Sequence, residues 1–181
     1  MFKLLRFPIV LIAITTLVTP LRAQSMGPGD SHPSAAALEM LWSGMTGYIT
    51  QVAEETAEAD FAWRPTEGVR SIGELIGHVA GAQYLMCAAA LGDPPRDEDA
   101  VEQSAKTKAA LVEALKASTA YCARAYRQSD EALRGETTLF GQKGTRYYAL
   151  GMNAMHNGEH YGNLVTYLRL RGVVPPSSRR P

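Results

Sequence analysis

Residues 145–172 read TRYYALGMNAMHNGEHYGNLVTYLRLRG, and this stretch decides the fold. It opens on Thr145, a residue type that caps helix starts, and it closes on Gly172, a residue type that follows helix ends. Pro175 comes shortly after, and proline cannot continue a helix. The stretch therefore predicts one long helix from Thr145 to about Arg171.

Two histidines of this predicted helix, His156 and His160, lie four positions apart. At about 100° per residue their side chains differ in direction by only ~40° around the axis, so both imidazoles face the same way. One helix offers two ligands to a divalent metal ion at this spacing. Met152, Asn163 and Tyr167 share the same stripe. Burying two imidazoles and an amide on a core-facing stripe costs free energy unless these groups find a binding partner.

A third histidine belongs to a second predicted helix. Ser71 and Glu74 form the S-x-x-E pattern of a capping box, which predicts a helix from Ser71 to Leu91. His78 lies within it, on the same side as apolar residues, so it is expected to face the interior. Those residues are Leu75, Ala82, Leu85, Met86 and Ala89. His32, the fourth histidine, lies in a predicted linker and indicates no more than a solvated side chain.

The remaining helices are predicted from spacing and start signals. Apolar residues three and four positions apart predict a first helix from Pro33 to about Ala59. Asp99 and Glu102 repeat the start signal of the second helix and predict a third helix that runs towards Gln128.

The helices together predict the fold class. Residues 129–144 are glycine-punctuated and predicted to be irregular, and no strand-like alternation extends over a long window. The chain is therefore expected to be all-α, with a single four-helix bundle over residues 34–178 that follows a linker at 24–33. A chain of 181 residues is long enough for one domain with a substantial core, and hardly for two.

The N-terminus predicts a secretory signal peptide over residues 1–23. Lys3 and Arg6 precede a short apolar stretch at 7–18, and small residues follow, with cleavage expected after Ala23 or, nearly as well, after Ser25. The apolar stretch is shorter than the ~20 residues of a spanning helix. We therefore expect export, to a periplasmic or extracellular location, with no stable membrane anchor after cleavage. An uncleaved anchor is the alternative.

Net charge and cysteine content limit which partners and which cellular compartment are expected. From residue 24 onward the chain has 15 basic and 18 acidic residues, a net charge of −3, which disfavours nucleic acid as a partner. Cys87 and Cys122 could pair in an oxidising compartment. Spacing does not show such pairing, and both lie in alanine-rich helical surroundings, so buried free thiols are the favoured interpretation.

Two segments resemble the DinB-like (DinB/YfiT-like) family. They are WRP…VRSIGELIGHVAGA at 63–82 and HNGEHYGNLVTYLRLRGVVPP at 156–176. The resemblance implies a four-helix bundle with a long crossover connection and a metal site of three histidines, one on the second helix and two on the last. Here these are His78, His156 and His160. Many members have Gly-Gln after the last histidine, where this chain has Gly162 and Asn163.

The expected function follows from the three histidines. Three neutral ligands leave a divalent ion, zinc or nickel, with an open position, which is typical of a catalytic site. Family members of known activity are thiol-dependent transferases and isomerases, so the resemblance implies a small-molecule substrate, a thiol among the candidates. A transferase-like or hydrolase-like enzyme would activate a thiol or a water molecule. Asn163 and Tyr167 would orient the substrate, and Glu159 would move a proton.

Other interpretations stay open. Residues 156–160 match the H-x-x-E-H pattern of inverted zinc peptidases, with Glu159 as general base. That site needs a further acidic ligand, and none of the 21 residues after His160 is acidic. A non-catalytic metal-binding or interaction bundle and a structural bundle with three buried neutral histidines are the remaining alternatives. The oligomeric state is left open, with a homodimer among the possibilities.

Overall fold

The computed structural model describes residues 32–179, which are mainly helical. The predicted signal peptide and most of the predicted linker lie outside these residues. The elements in chain order are α1 Pro33–Glu55, α2 Ile72–Leu91, α3 Ala100–Ser104, α4 Lys108–Tyr126, α5 Asp130–Leu133, β1 Glu136–Leu139, β2 Gln142–Thr145 and α6 Arg146–Leu170, with short 3₁₀ turns at Glu58–Asp60 and Pro176–Ser178.

The four long helices form the expected bundle. Helix α2 packs against α4 and α6, and α1 packs against the same two helices. The consecutive helices α1 and α2 therefore lie across the diagonal of the bundle, and the connection between them crosses its end. Within the described residues no helix is both long enough and apolar enough to cross a membrane.

The core consists of two apolar clusters stacked along the bundle. On α6 one cluster ends at Ala154 and the other begins at Tyr161. His156, Asn157 and His160 fall between these two positions, so they lie where the clusters meet. The polar centre of the molecule is thus placed between two dry layers that hold the helices rigidly around it.

The starts of α2 and α6 follow their predicted caps. The Ser71 hydroxyl accepts a hydrogen bond from the Glu74 N–H (3.2 Å), and the Glu74 carboxylate accepts one from the Ser71 N–H (2.7 Å). This capping box satisfies two donors that a helix N-terminus otherwise leaves unpaired. Thr145 caps α6 by accepting a hydrogen bond from the Tyr148 N–H (3.4 Å). The helices that carry all three clustered histidines therefore begin where their caps predict.

The predicted third helix is broken, which corrects the prediction of a continuous helix to Gln128. Its first part, α3, ends at Ser104, and α4 starts anew after Thr107, whose hydroxyl accepts a hydrogen bond from the Ala110 N–H (3.2 Å). The Asp99 side chain makes no cap hydrogen bond. The Glu102 carboxylate binds Arg70 instead, so the apparent capping box is a tertiary ion pair.

Two other boundaries differ from the predictions. Helix α1 ends at Glu55 rather than near Ala59, because Thr56 adopts an extended backbone (ψ 131°). The segment predicted as irregular contains a β-hairpin, in which Glu136 pairs with Thr145 and Leu139 with Gln142. Its tight turn has two residues of positive φ, Phe140 (52°) and Gly141 (75°). Four-residue strands around a turn without Asn-Gly or Asp-Gly give too short a pattern to detect.

The expectation of free thiols is wrong. Cys87 on α2 and Cys122 on α4 form a disulfide, with their Cα atoms 5.3 Å apart. Helices α2 and α4 are direct neighbours in the bundle, so two buried cysteines that are 35 residues apart in sequence meet at disulfide distance. Alanine-rich helical surroundings do not reveal which faces of two helices meet, and the pairing was therefore not visible in the sequence.

Asp130 binds the backbone at the start of α1, and this contact predicts that the stability of the fold depends on pH. Its carboxylate accepts hydrogen bonds from the N–H groups of Ala35 (3.0 Å) and Ser34 (3.1 Å). Desolvation raises the pKa of Asp130, but these N–H donors and Tyr147 outweigh it and lower the pKa to about 2. This pKa lies below the ordinary value of 3.8, so the ionised carboxylate of Asp130 stabilises the fold at pH values above 3.8. The stabilisation is lost as the pH falls towards 2.

We therefore expect Asp130→Asn to lower the melting temperature by a few degrees at pH 7. The difference from the wild type should shrink between pH 4 and pH 2. The exposed neighbour provides the control, because Glu131→Gln removes the same charge without touching α1. Equal melting curves for the wild type and Asp130→Asn at pH 7 would contradict the prediction.

Candidate metal centre

Three histidine side chains converge between α2 and α6. The Nε2 atom of His156 lies 3.1 Å from Nε2 of His78 and 3.0 Å from Nε2 of His160. His78 and His160 are only 7% and 8% exposed. The capped start of α2 and the i, i+4 spacing on α6 bring all three predicted ligands to one point.

The donor atoms fit a divalent metal ion. Ligands about 2.0–2.1 Å from one ion are separated from their neighbours by roughly 3.0–3.4 Å. The two Nε2 distances from His156 lie in this range, and the ligand atoms of all three histidines lie within 4.8 Å of one another. Among the described residues, the Nδ1 atoms of His78 and His156 are buried without a hydrogen-bond partner. An imidazole nitrogen carries either one proton or one lone pair, so Nε2 of His156 cannot donate to one of these neighbours and accept from the other. A cation at their centre resolves this conflict.

The electrostatics of the site keep the three imidazoles neutral. Burial lowers the pKa of His78 to about 4, with the positive charge of Arg70 as the next cause. Burial lowers the pKa of His156 to about 3, with smaller effects from the other two histidines and Arg70. The pKa of His160 is lowered by burial, against the opposing effect of Glu159. Near neutral pH each imidazole therefore has one nitrogen with a lone pair, and histidine binds metal ions in this neutral form.

The predicted substrate-orienting residues lie beside this centre. An open cleft of about 600 Å³ adjoins His160 and is lined by Arg64, Arg70, Asn163 and Tyr167 among others. The Tyr167 hydroxyl donates a hydrogen bond to the carbonyl oxygen of Arg70 (3.0 Å). The cleft thus provides access to one side of the histidine cluster for a small molecule.

The Nδ2 atom of the Asn163 side-chain amide lies 3.3 Å from Nδ1 of His160, and a 180° rotation of the amide places its oxygen there instead. When the amide oxygen faces the ring, it accepts the Nδ1 proton, and the Nε2 lone pair of His160 is left free for a metal ion. Asn163 therefore acts on the orientation and tautomer of a ligand. Glu159 is exposed and does not line the cleft, so its only visible effect on the centre is electrostatic.

Acidic residues form a further wall of the centre that sequence reasoning missed. Glu98 Oε1 lies 3.8 Å from Nε2 of His78, and Glu102 Oε2 lies 3.7 Å from its Nδ1. Both residues belong to the connection between α2 and α4. Burial and the neighbouring Asp99 raise the pKa of Glu98 against the effect of Arg70. The sequence signal in this segment is the pair of Asp99 and Glu102, which predicts a helix start.

A buried polar network lies next to His156 and was also missed. Asn157 donates hydrogen bonds to the Thr46 hydroxyl (2.8 Å) and to the Gln83 side-chain oxygen (3.3 Å). Gln83 also accepts one from the Trp42 indole (2.8 Å) and donates to Ser118 (2.9 Å). These side chains connect all four long helices. Within residues 32–179 the Oδ1 atom of Asn157 is buried without a hydrogen-bond partner, and the other contacts of the network are made. Buried hydrogen bonds that join several helices favour a single packing of those helices, and here they lie beneath the histidine cluster.

The fold and the site define a class: a four-helix bundle with a three-histidine cluster on its second and last long helices. A sequence model of the DinB superfamily matches residues 41–164. The chain belongs to the DinB superfamily. No curated protein matches the sequence.

Solved structures show the same fold. The DinB-like protein YjoA of Bacillus subtilis is 23% identical to this chain. The match covers 80% of this chain and 99% of YjoA, with a TM-score of 0.62. YfiT of Bacillus subtilis is 15% identical to this chain and is described as a probable metal-dependent hydrolase with an unusual four-helix bundle topology. The match covers 81% of this chain and 93% of YfiT, with a TM-score of 0.61.

A third similar structure is a mutant of the mycothiol-dependent maleylpyruvate isomerase. It is 20% identical, and 70% of this chain matches it at a TM-score of 0.59. The present chain spans 58% of the length of that protein. At these identities the likeness concerns the fold alone.

Proposed function

We propose that this protein is a metal-dependent enzyme whose three-histidine centre binds one divalent ion, zinc or nickel, and activates a thiol or water nucleophile. The observation that supports it is the convergence of three neutral Nε2 atoms beside an open cleft. A divalent ion there lowers the pKa of a bound thiol or water, so that a nucleophile forms near neutral pH.

The residues of the cleft have distinct tasks in this proposal. His78, His156 and His160 hold the ion, and Asn163 fixes the tautomer of His160 and contacts the substrate. Tyr167 positions the backbone of Arg70, whose guanidinium lines the cleft. Arg70 is paired with Glu102 through Nε, and its other N–H groups would contact an anionic group, such as a thiolate or a carboxylate, next to the ion. Glu159, exposed one position before His160, is proposed to exchange protons with the bulk solvent.

We further propose that the mature protein is exported. The N-terminal sequence has the pattern of a signal peptide. The disulfide between Cys87 and Cys122 supports this location, because disulfides persist in oxidising compartments and are rare in the cytosol. Export also favours a substrate or co-substrate outside the cytosolic thiol pool, so that hydrolysis is proposed alongside thiol transfer.

The proposal is tested on protein purified without a histidine tag. Elemental analysis is expected to find about one divalent ion per chain. The metal-loaded protein is then assayed with thiol-addition, ester and amide substrates against the same concentration of free ion, and Glu159→Gln, Asn163→Ala and Tyr167→Phe are compared with the wild type. A protein that retains no ion excludes the metal site. Retention without turnover above free metal favours the non-catalytic metal-binding alternative.

A further inference from the structure

The two ring nitrogens of His78 have different surroundings. The Nε2 atom faces the histidine cluster, 3.1 Å from Nε2 of His156. The Nδ1 atom is buried and, among residues 32–179, has no hydrogen-bond partner. The side chain is only 9% exposed, so an unpaired polar atom there costs free energy. A partner for Nδ1 is therefore expected in its immediate surroundings.

Metal binding determines which nitrogen of His78 carries the proton. When Nε2 gives its lone pair to the ion, the neutral ring carries its proton on Nδ1. Metal-bound histidines almost always donate this second N–H group to a carboxylate, a backbone carbonyl or water. The acceptor orients the ring and makes the ligand more basic. The acceptor for His78 must therefore lie on the Nδ1 side of the ring.

Three acidic residues lie close enough to be compared. Glu98 approaches the other nitrogen, with Oε1 3.8 Å from Nε2, so it is not placed to accept the Nδ1 proton. Glu102 approaches the right one, with Oε2 3.7 Å from Nδ1. Asp99 is the remaining candidate, because the ligand atoms of His78, Asp99 and Glu102 lie within 4.8 Å of one another.

Burial favours Glu102 over Asp99 as the partner. The Glu102 side chain is 21% exposed, whereas Asp99 is an exposed residue, so water competes more strongly for the carboxylate of Asp99. A second cation between His78 and these two acids is disfavoured, because the carboxylate of Glu102 already binds the guanidinium of Arg70.

The fold holds Glu102 next to the histidine. A Cβ atom at Gly77 would lie 2.9 Å from Cα of Glu102, so the glycine that precedes His78 lets the backbone of Glu102 approach α2. Both carboxylate oxygens lie 3.1 Å from Nε of Arg70, and the Tyr167 hydroxyl binds the Arg70 carbonyl. A shift of about 1 Å brings Oε2 to hydrogen-bond distance from Nδ1. A carboxylate has lone pairs for both donors.

We propose that Glu102 is a positioning residue of the metal centre, whose carboxylate accepts the Nδ1–H of His78 and holds Nε2 towards the ion. The inference rests on the proposed function in that a divalent ion occupies this centre. The negative charge of Glu102 strengthens Nε2 as a donor to that ion. Glu102 acts on the ion through His78 and is not itself a ligand.

The first measurement compares Glu102→Gln with Asp99→Asn, the matched control that removes the same charge from the exposed neighbour. The affinity of the metal-free proteins for Zn²⁺ is measured at one pH by competition with a chromophoric chelator. Glu102→Gln should weaken Zn²⁺ binding by about 10–100-fold, the usual effect of removing such a partner. Asp99→Asn should stay within about threefold, the effect of a screened surface charge. Equal affinities in the wild type and Glu102→Gln overturn the proposal, as does an equal loss in Asp99→Asn.

A second comparison separates the contact with His78 from the ion pair with Arg70. Glu102→Gln also leaves the Arg70 guanidinium without its partner, and this positive charge by itself repels a metal ion. The same substitution is therefore made in an Arg70→Gln background. A further loss of at least about tenfold in Zn²⁺ affinity supports an action through His78. No further loss shows that Glu102 only neutralises Arg70 and overturns the proposal.

Nuclear magnetic resonance of the zinc-loaded proteins with ¹⁵N-labelled histidine observes the hydrogen bond itself. The Nδ1–H proton of His78, identified by its absence in His78→Gln, should resonate downfield and exchange slowly with water in the wild type and in Asp99→Asn. In Glu102→Gln it should move upfield or exchange too fast to be seen, and an unchanged signal overturns the proposal.

The same experiments keep the two proposals apart. A wild type that binds no Zn²⁺ defeats the proposed function, whereas the outcomes above defeat only the role of Glu102. Glu102→Ala, checked for its melting temperature, takes the place of Glu102→Gln should that variant fail to fold.

Discussion

The His156→Ala variant is expected to lose measurable metal binding at micromolar protein concentrations. His156 is the central member of the cluster, since its Nε2 atom contacts those of both His78 and His160 at 3.1 and 3.0 Å. Removing the outer partner of a metal ligand already costs about 10–100-fold in affinity, and removing the central ligand itself should cost more. Equilibrium dialysis with Zn²⁺, followed by elemental analysis, measures the loss.

The same variant should show a characteristic pattern of stability. Without metal, His156 brings a buried Nδ1 atom that has no partner among the described residues. Its replacement is therefore expected to change the metal-free melting temperature little, because the lost packing and the removed unpaired polar atom oppose each other. With metal at about 1,000 times its Kd, the wild type should gain about 4 kcal/mol of stability and the variant none.

His32→Asn is the matched control, because His32 precedes α1 and lies outside the cluster. It should gain as much stability from Zn²⁺ as the wild type. A structural bundle with three neutral histidines makes the opposite prediction, since EDTA would then leave all three melting temperatures unchanged. A Zn²⁺-dependent shift in His156→Ala equal to that of the wild type would show that the ion binds elsewhere.

The helices that carry the site could be predicted because their signals are local. The Ser71–Glu74 capping box and Thr145 fix two helix starts, and the spacing of His156 and His160 fixes their common face. The break between α3 and α4, at residues 105–107, could not be predicted in the same way. It depends on Glu102 turning to Arg70, which is 32 positions away, and on the glycines of α2 that admit this segment. Such contacts between elements leave no periodic pattern in either segment.

The histidines of the site were visible in the sequence, and its acids were not. Glu98 and Glu102 lie 3.8 and 3.7 Å from His78. They belong to a connection whose path depends on Gly77, Gly81 and the stacking of Arg96. Side chains on one face of a helix repeat at helical spacing, whereas a side chain on a connection is placed by tertiary contacts alone.

Replacing both cysteines in a Cys87→Ala/Cys122→Ala variant is expected to cost stability without costing metal affinity. The bridge closes a loop of 35 residues between α2 and α4, for which the chain-entropy estimate is about 4 kcal/mol. In a domain of this size that amounts to a fall of roughly 10 °C in melting temperature. Calorimetry of the metal-free proteins at one pH measures it.

Metal affinity should survive in this variant because the disulfide joins α2 to α4, whereas the histidines lie between α2 and α6. The cysteines belong to the cluster that ends at Ala154, on the far side of the network around Gln83 and Asn157. That network holds α2 and α6 in register without the bridge. A variant that kept its melting temperature but lost Zn²⁺ binding would contradict this prediction. The disulfide would then act on the metal site and not on the unfolded chain.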